Sequence, residues 1–481
     1  MPVLALELST ASAKAMVFDA ASGVLAKARE PLPYRSGAHG TLDMLEVYAA
    51  LLRAGREAAR GMDISAVSLS SSWHTLCVCD DRFEPLTPLF TWEYEGAKDL
   101  CARMRADSPL TERLYALTGC MPHITYPRQT LLYLKEQGFS LKQRRVLSQG
   151  AYCFHRLTGE FAETVNVQSG GGYINLECLG YEPYVLDMLG LQEGQHMGRL
   201  VDFCMTPPLL ADAAEALGVL AGIPVVPAHA DGALNQLSAA GGHKAYMSLS
   251  VGTSGALRMA AEVPKCSPGR ETWAYYGVDT HLSGAAVAGA CNCIDWFRTE
   301  FMQSRLSFEQ LEEEGPLPRP DPPVFLPFLF GERCPGWQDE RTAGFFDVRP
   351  SHRPADFYRA VQMGILFCMF QCYQPLCDLA GVPEKILVSG GILASGKWTQ
   401  MLADIFRRGM TSCADLEASL RGASLLGLYA AGELMDINQS VGCFVHGAEL
   451  APNPEMASWY QTQYQRYLHR YHQTAAWSVQ P

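Results

Sequence analysis

Positive charge is scarce in this 481-residue chain: 38 lysines and arginines face 50 aspartates and glutamates, a formal net charge of −12. A protein that grips a nucleic-acid backbone needs a surplus of cations on one face, so no nucleic-acid partner is expected. Long hydrophobic runs are missing as well. No window approaches the roughly 18 uninterrupted apolar residues of a membrane span. Residues 364–379 are broken by Gln and Pro and read as a buried helix, so no membrane partner is expected. The opening MPVLALEL lacks a basic-then-apolar export pattern, so the protein is expected to be cytoplasmic and its 16 cysteines reduced. The Asn438-Gln-Ser sequon then carries no meaning. Zinc-type spacing is lacking too. Cys77 and Cys79 flank one residue, as do Cys291 and Cys293, with no second pair to complete a site, and these thiols read as small packing groups.

What is present is ordinary globular composition, 48% apolar, 10% aromatic and 18% charged. The length exceeds what one core organises, so two domains are expected. Residues 3–8 are apolar, 9–12 small and polar, and 15–18 apolar again, which is a hairpin with a polar tip. The same unit returns at 247–251, 252–255 and 256–259. This recurrence indicates duplication, with one tip from each half. Residues 233–242 are helical in composition and end in two glycines, placing the boundary between domains of residues 1–242 and 243–481.

Helical periodicity covers 42–59, strand, turn and strand cover 66–79, and Pro127 opens a helix within 126–137. This alternation predicts α/β layers. The Ser169-Gly-Gly-Gly172 stretch reads as a flexible turn joining strands. In the second half, 315–323 is a proline-rich loop, 324–330 a buried strand, 351–381 one long helix containing Pro375, and 385–389 a short strand followed by a helix over 398–406. Tyr460, Tyr464, Tyr467 and Tyr471 form one helical stripe, read as docking a C-terminal helix.

The run Gly391-Ile-Leu-Ala-Ser-Gly396-Lys397 imitates a P-loop, but the next residue is Trp398, whose indole cannot supply the hydroxyl a P-loop gives to magnesium. Its paired glycines still let a flat ligand approach the backbone. The matched hairpin tips are better phosphate candidates, because small residues leave backbone N–H groups and threonine hydroxyls free to face an anion.

The order of elements resembles the FGGY carbohydrate kinases, of the actin-like ATPase superfamily, along nearly the whole chain. The resemblance rests on Glu7-Leu-Ser-Thr-Ala-Ser-Ala-Lys14; Leu157-Thr-Gly159 followed by Ser169; Ala230-Asp231-Gly232; Val251-Gly-Thr-Ser-Gly255; Gly331-Glu-Arg-Cys-Pro335; Arg359-Ala-Val361; and Ser389-Gly-Gly391 with Gln400-Met-Leu-Ala-Asp404 and Gly422-Ala423. It implies two ribonuclease-H-like α/β domains with an interdomain cleft and ATP-dependent phosphorylation of a small sugar or sugar acid. It also implies Asp231 as general base, and Ser9, Thr10, Ser12 and Lys14 around the transferring phosphoryl group. Gly252 and Thr253 would hold phosphate oxygens from the other half, Gly390 and Gly391 would lie at the adenosine end, and Glu7 would face Mg2+. A homodimer is the one macromolecular assembly considered.

The chain departs from the family at Glu7, where Asp is usual, at Ser9, where Gly is usual, and after Trp92, where Glu93-Tyr-Glu95 replaces an x-Asp-x-Arg pattern. The alternative these departures raise is a catalytically impaired nucleotide- or sugar-binding member; an actin-like ATPase acting on proteins is a third reading. Thr118-Gly-Cys-Met-Pro-His123 and residues 325–337 lean towards the gluconate-kinase-like branch. A sugar acid needs donors at its carboxylate, and the candidates are His74, His123 and Arg128, with Trp92 beside them.

Overall fold

Strand β1 (Val3–Leu8) is buried along its whole length, as a central strand covered on both faces must be. The computed structural model describes residues 1–32, 40–241, 243–313, 321–413, 417–438 and 446–475. Around β1 lie β2 (Ser12–Asp19), β3 (Gly23–Pro31), β4 (Val67–Ser71) and β5 (Val225–Ala230), in the order β5-β4-β1-β2-β3. The first three strands of that order are parallel and the last two antiparallel.

A second sheet comprises β6 (Tyr246–Val251), β7 (Gly255–Ala261), β8 (Trp273–Tyr276), β9 (His281–Val287), β10 (Lys385–Ser389), β11 (Met410–Cys413) and β12 (His446–Leu450), ordered β8-β9-β7-β6-β10-β11-β12. Its central stretch β11-β10-β6-β7-β9 repeats the order and the strand directions of the first sheet. The duplication read from two short hairpins therefore extends over five strands of each half.

Helix α1 (Met44–Ala59) starts where the Asp43 carboxylate accepts the Leu45 N–H at 2.9 Å, and its buried face covers the first sheet. Helix α2 (Pro127–Glu136) begins at the proline, as expected. The glycine run differs from expectation. Helix α3 (Val165–Gly171) continues through it, capped by Gly172 at φ 80°, because Gly170 must pass the Trp73 ring, where an added Cβ would lie 2.4 Å from Cδ1. Helix α4 (Asp231–Ala240) follows β5 directly.

In the second half Pro327 removes a ladder donor, so the strand expected over 324–330 covers only Val324–Leu326. Residues 315–320 of the proline-rich loop lie outside the described residues, as does Gly242 of the boundary. Helix α5 (Pro354–Ala380) is the long helix, with Pro375 inside it, and α6 (Gly396–Phe406) follows the glycine pair. Helix α7 (Ala418–Ala430) comes from the second half yet packs on the first. An added Cβ on Gly422 would lie 2.3 Å from the Leu234 carbonyl oxygen of α4, and Gly427 faces Val3 and Ser68. Helix α8 (Ala457–Ala475) buries all four tyrosines of its stripe. Among the described residues the fifteen cysteines are free thiols, and there is no cluster of His, Cys, Asp and Glu suited to a metal and no helix long and apolar enough to cross a membrane.

Candidate active site

Parallel strands end together, and their carboxyl ends carry the loops that ligands meet. Here Thr10 after β1, Ser72, Trp73 and His74 after β4, Asp231 after β5 and Ser254 after β6 line one cavity of about 100 Å3. The two halves thus face each other across it.

The first tip holds its own shape. The Ser9 hydroxyl donates to the Ser12 carbonyl at 2.7 Å and accepts the Ser12 N–H at 3.2 Å, so it closes the hairpin and is not a free phosphate ligand. The Ser12 hydroxyl is buried 3.2 Å from that of Ser9. Thr10 stays at the cavity wall, where its hydroxyl accepts from Trp92 Nε1 at 3.1 Å, so Trp92 braces the tip as well as lining the cavity.

Glu7 is 2% exposed and fully engaged. Lys14 Nζ lies 2.9 Å from its Oε1 and 3.0 Å from Glu417 Oε2, while the Ser70 hydroxyl at 3.4 Å and that of Ser419 donate to its Oε2. Burial works against the Lys14 ammonium, but the carboxylates of Glu7 and Glu417 outweigh it and hold the group above its ordinary value. The cation expected beside the transferring phosphoryl is therefore spent in a bridge from β2 to the segment that precedes α7.

At the second tip the Gly252 N–H donates to the Ser254 carbonyl at 3.0 Å, and exposed Thr253 accepts the Asn292 N–H on its carbonyl at 3.3 Å. Gly390 sits against this tip with φ 97°, and an added Cβ would lie 2.4 Å from the Val251 carbonyl oxygen, so only glycine fits. Beyond it opens a second cavity of about 620 Å3, lined among others by Gly391, Ser395, Lys397, Glu312, Phe308 and Tyr358. That volume suits a nucleoside. The P-loop-like run forms one wall, and its Lys397 donates to the Glu312 carbonyl at 2.5 Å.

Asp231 stands at the junction of β5 and α4. The Gly232 N–H reaches its Oδ1 at 2.8 Å and the Trp73 N–H reaches the same oxygen at 3.5 Å; Oδ2 accepts no hydrogen bond from the described residues. Burial pushes this carboxyl up and the charge of Glu7 adds to the push, against the opposing guanidinium of Arg258 and the two N–H groups. An oxygen without a partner, in a wall that favours the proton, is the arrangement a general base requires.

The three proposed carboxylate donors fare differently. Arg128 is 0% exposed and is corrected to a structural role, because it donates to Gln129 Oε1, Thr118 Oγ1 and the carbonyls of Gly172 and Cys120, away from both cavities. His123 is committed as well: its Nδ1 accepts the Thr125 N–H at 3.2 Å, and its Nε2 faces Asp339 Oδ1 at 2.8 Å in a small side cavity. Burial holds it below its ordinary value, and the Asp339 carboxylate only partly offsets this. His74 does line the Asp231 cavity. Its Nδ1 donates to the Gly170 carbonyl at 2.6 Å, so Nε2 is the acceptor, 3.3 Å from Arg333 Nη2. Burial and the neighbouring Arg333 keep this imidazole neutral.

Sequence reasoning missed the cations that do line the cavity, Arg258 on β7 and Arg333, and the aromatic wall of Trp73, Trp273 and Tyr275. Trp273 and Tyr275 stack at 4.1 Å between ring centroids, and Trp73 meets Tyr275 edge-on at 5.0 Å. The alternation Trp273-Ala-Tyr275 on one strand face was the available signal.

Comparison with known proteins bears on this geometry. Models of the N-terminal and C-terminal domains of the FGGY family of carbohydrate kinases match residues 2–238 and 247–431. The chain is 25% identical over 456 residues to a gluconokinase of Bacillus subtilis (strain 168), covering 90% of this chain and 88% of that protein. Among solved structures, a ligand-bound xylulose kinase from Lactobacillus acidophilus superposes with a TM-score of 0.91 at 23% identity, covering 99% of this chain and 98% of that one. A gluconate kinase from the same organism gives 0.90 at 23% identity, covering 99% of each chain.

Proposed function

Because the chain belongs to the FGGY family of carbohydrate kinases, and so is a sugar kinase whose family uses ATP, we propose that it moves the terminal phosphoryl group of ATP to a hydroxyl of a small sugar or sugar acid, gluconate first among them, with Asp231 as general base. The observation that carries this reading is the unpartnered Oδ2 of Asp231 in a cavity shared with Thr10 and Ser254, the residues of the two facing tips. Gluconate is placed first because the gluconokinase of Bacillus subtilis matches 90% of this chain.

In this mechanism the acceptor hydroxyl lies against the aromatic wall and gives its proton to Asp231 Oδ2 as its oxygen attacks the γ-phosphorus. The new oxygen–phosphorus bond forms as the bond to the β-phosphate oxygen breaks, ADP leaves, and the proton passes from Asp231 to solvent. The Thr10 hydroxyl and the backbone of residues 252–254 orient the phosphates, while Gly390 and Gly391 admit the nucleoside. Enclosure between the halves keeps water from competing as acceptor. The site also suits the magnesium ion that accompanies ATP. Glu7 lies near the end of β1, three residues before Thr10 of the cavity wall, and magnesium needs only one or two protein carboxylates when phosphates and water complete its shell. Glu7 would hold it by exchanging its Lys14 contact for the ion, with Asp231 Oδ2 left free as the base, and the ion would neutralise charge on the phosphates.

The test is release of ADP with gluconate, xylulose, ribulose and glycerol as acceptors. Gluconate is expected to give turnover well above the rate without acceptor. Binding of ATP with no turnover on any of the four would refute the proposal.

A further inference from the structure

Guanidinium groups withdrawn from bulk water are ordinarily paired, since leaving one without a counter-charge costs several kcal/mol on the order of a lost buried ion pair. Most of this protein obeys the rule. Arg341 meets Glu332 at 2.9 Å, Arg359 meets Glu312 at 3.0 Å, Arg105 meets Asp339 at 2.5 Å, and Arg128 is caged by carbonyls.

The two arginines that line the cavity with Asp231 break the pattern. The side chain of Arg258 donates only to the Ser250 hydroxyl, at 3.2 Å, and that of Arg333 only to neutral His74, at 3.3 Å. No described carboxylate lies within ion-pair distance of either. Glu93 and Glu95 line the small cavity next to Arg333, yet neither reaches it, and Glu95 is held by Lys98 at 2.8 Å. Burial pushes the Arg258 guanidinium down to about 10, partly offset by Asp231, which still leaves it charged at neutral pH.

The charges in the cavity can then be counted. Asp231 contributes one negative charge, Arg258 and Arg333 two positive charges, and His74 none. A neutral sugar that displaced water from this space would leave the two guanidinium groups with Asp231 as the one carboxylate of the cavity wall. A carboxylate would complete the balance through charge-assisted hydrogen bonds. We infer that Arg258 and Arg333 together form the receptor for a substrate carboxylate, and that they select a sugar acid over the neutral polyol of the same length. Both arginines come from the second half, whereas Asp231 and His74 come from the first, so the acid group and the acceptor hydroxyl are held by opposite walls.

This inference rests on the kinase reading above, and the experiment separates the two. Gluconate and glucitol differ only by a carboxylate against a hydroxymethyl group. The wild-type ratio of kcat/KM for gluconate over glucitol is expected to be at least roughly 100. Arg258→Met and Arg333→Met should each collapse that ratio by about 30- to 100-fold, mainly through KM for gluconate, with Arg258→Lys recovering part of it. Binding of an ATP analogue, followed by calorimetry, checks that each variant is folded. If a methionine variant does not fold, the lysine variants and the wild-type ratio decide. A wild-type ratio near one, or variants that lower both acceptors in parallel, would overturn the inference while leaving the kinase intact; ATP binding without turnover on any acceptor removes the kinase reading itself.

Discussion

Asp231→Asn separates a catalytic carboxylate from a structural one. The substitution is close to isosteric, and an asparagine Oδ1 can still accept the Gly232 N–H now found at 2.8 Å. What disappears is the proton acceptor at Oδ2. General-base catalysis is worth roughly 100- to 10,000-fold, so kcat should fall by that factor, or about 3–5 kcal/mol at about 1.4 kcal/mol per decade. The pH dependence sharpens the test. Burial and then Glu7 raise the Asp231 carboxyl in the folded protein, so wild-type kcat/KM should fall on the acid side at an inflection above the ordinary carboxylate range. The variant should lack that arm. Stability should move the other way. A carboxyl raised on folding gives its full contribution below its unfolded value and loses it as pH rises through the folded value. Neutral asparagine escapes that loss, so the variant should melt at the same temperature as wild type or higher at pH 7 to 8. Activity from coupled ADP release and melting by calorimetry would be measured on the same samples. Activity within tenfold of wild type, or loss of activity together with a lower Tm, would refute the reasoning.

Glu163, on the short strand Ala162–Thr164, accepts the Ser148 N–H at 2.8 Å and is pushed up to about 7 by burial against those donors. Stability should therefore decline as pH rises from about 4.5 to about 7 and level off above it, by on the order of 3 kcal/mol in all, and Glu163→Gln should flatten the Tm profile between pH 5 and 7. Gly390→Ala would place Cβ 2.4 Å from the Val251 carbonyl oxygen at φ 97°; thermal unfolding should show a loss of roughly 2–3 kcal/mol, together with weaker stabilisation by added ATP. Glu312 accepts from Arg359 at 3.0 Å, Tyr358 at 3.0 Å, Gln362 at 2.8 Å and Ser395 at 3.1 Å. Glu312→Ala should strand the Arg359 charge, cost about 3 kcal/mol and raise KM for ATP more than KM for the sugar, as steady-state kinetics would show.

The hairpin units, the helix opened by Pro127 and the tyrosine stripe were legible because each is local: a polar tip between apolar runs, a proline in a first turn, a period of one helical turn. The position of Asp231 was legible only through the order of short motifs, because the carboxylate acquires meaning from strands β4 and β1 beside it, distant in sequence. The misread positions share a cause. Arg128 and His123 were chosen as donors to a carboxylate and Lys14 through the family resemblance, and neither route reveals whether a side chain is already spent on a neighbour. Arg258 looked like any alternating residue of a strand, and nothing local showed that its face meets Asp231 from the other half. The glycine run at 169–172 misled because close packing on Trp73 demands the same residue as a flexible turn does.

The repeated topology explains how one ancestral unit could come to bind two ligands. Equivalent loops follow β1 and β6, and both are small and polar, so each half offers a similar cradle for phosphate. Equivalent loops also follow β4 and β10, and these have diverged. After β4 stand Ser72, Trp73 and His74, whose rings fill space and, with Trp273 and Tyr275, build a closed, sugar-sized wall. After β10 stand Gly390 and Gly391, which present bare backbone and leave a cavity of about 620 Å3 open beside them. On the proposed reading, bulk at one copy of this position makes the small acceptor site, and its absence at the other makes the large donor site. On that reading the phosphates lie between, where the two polar tips meet. Asp231, at the end of β5, then falls on the acceptor side of the transferring group, where a base is needed.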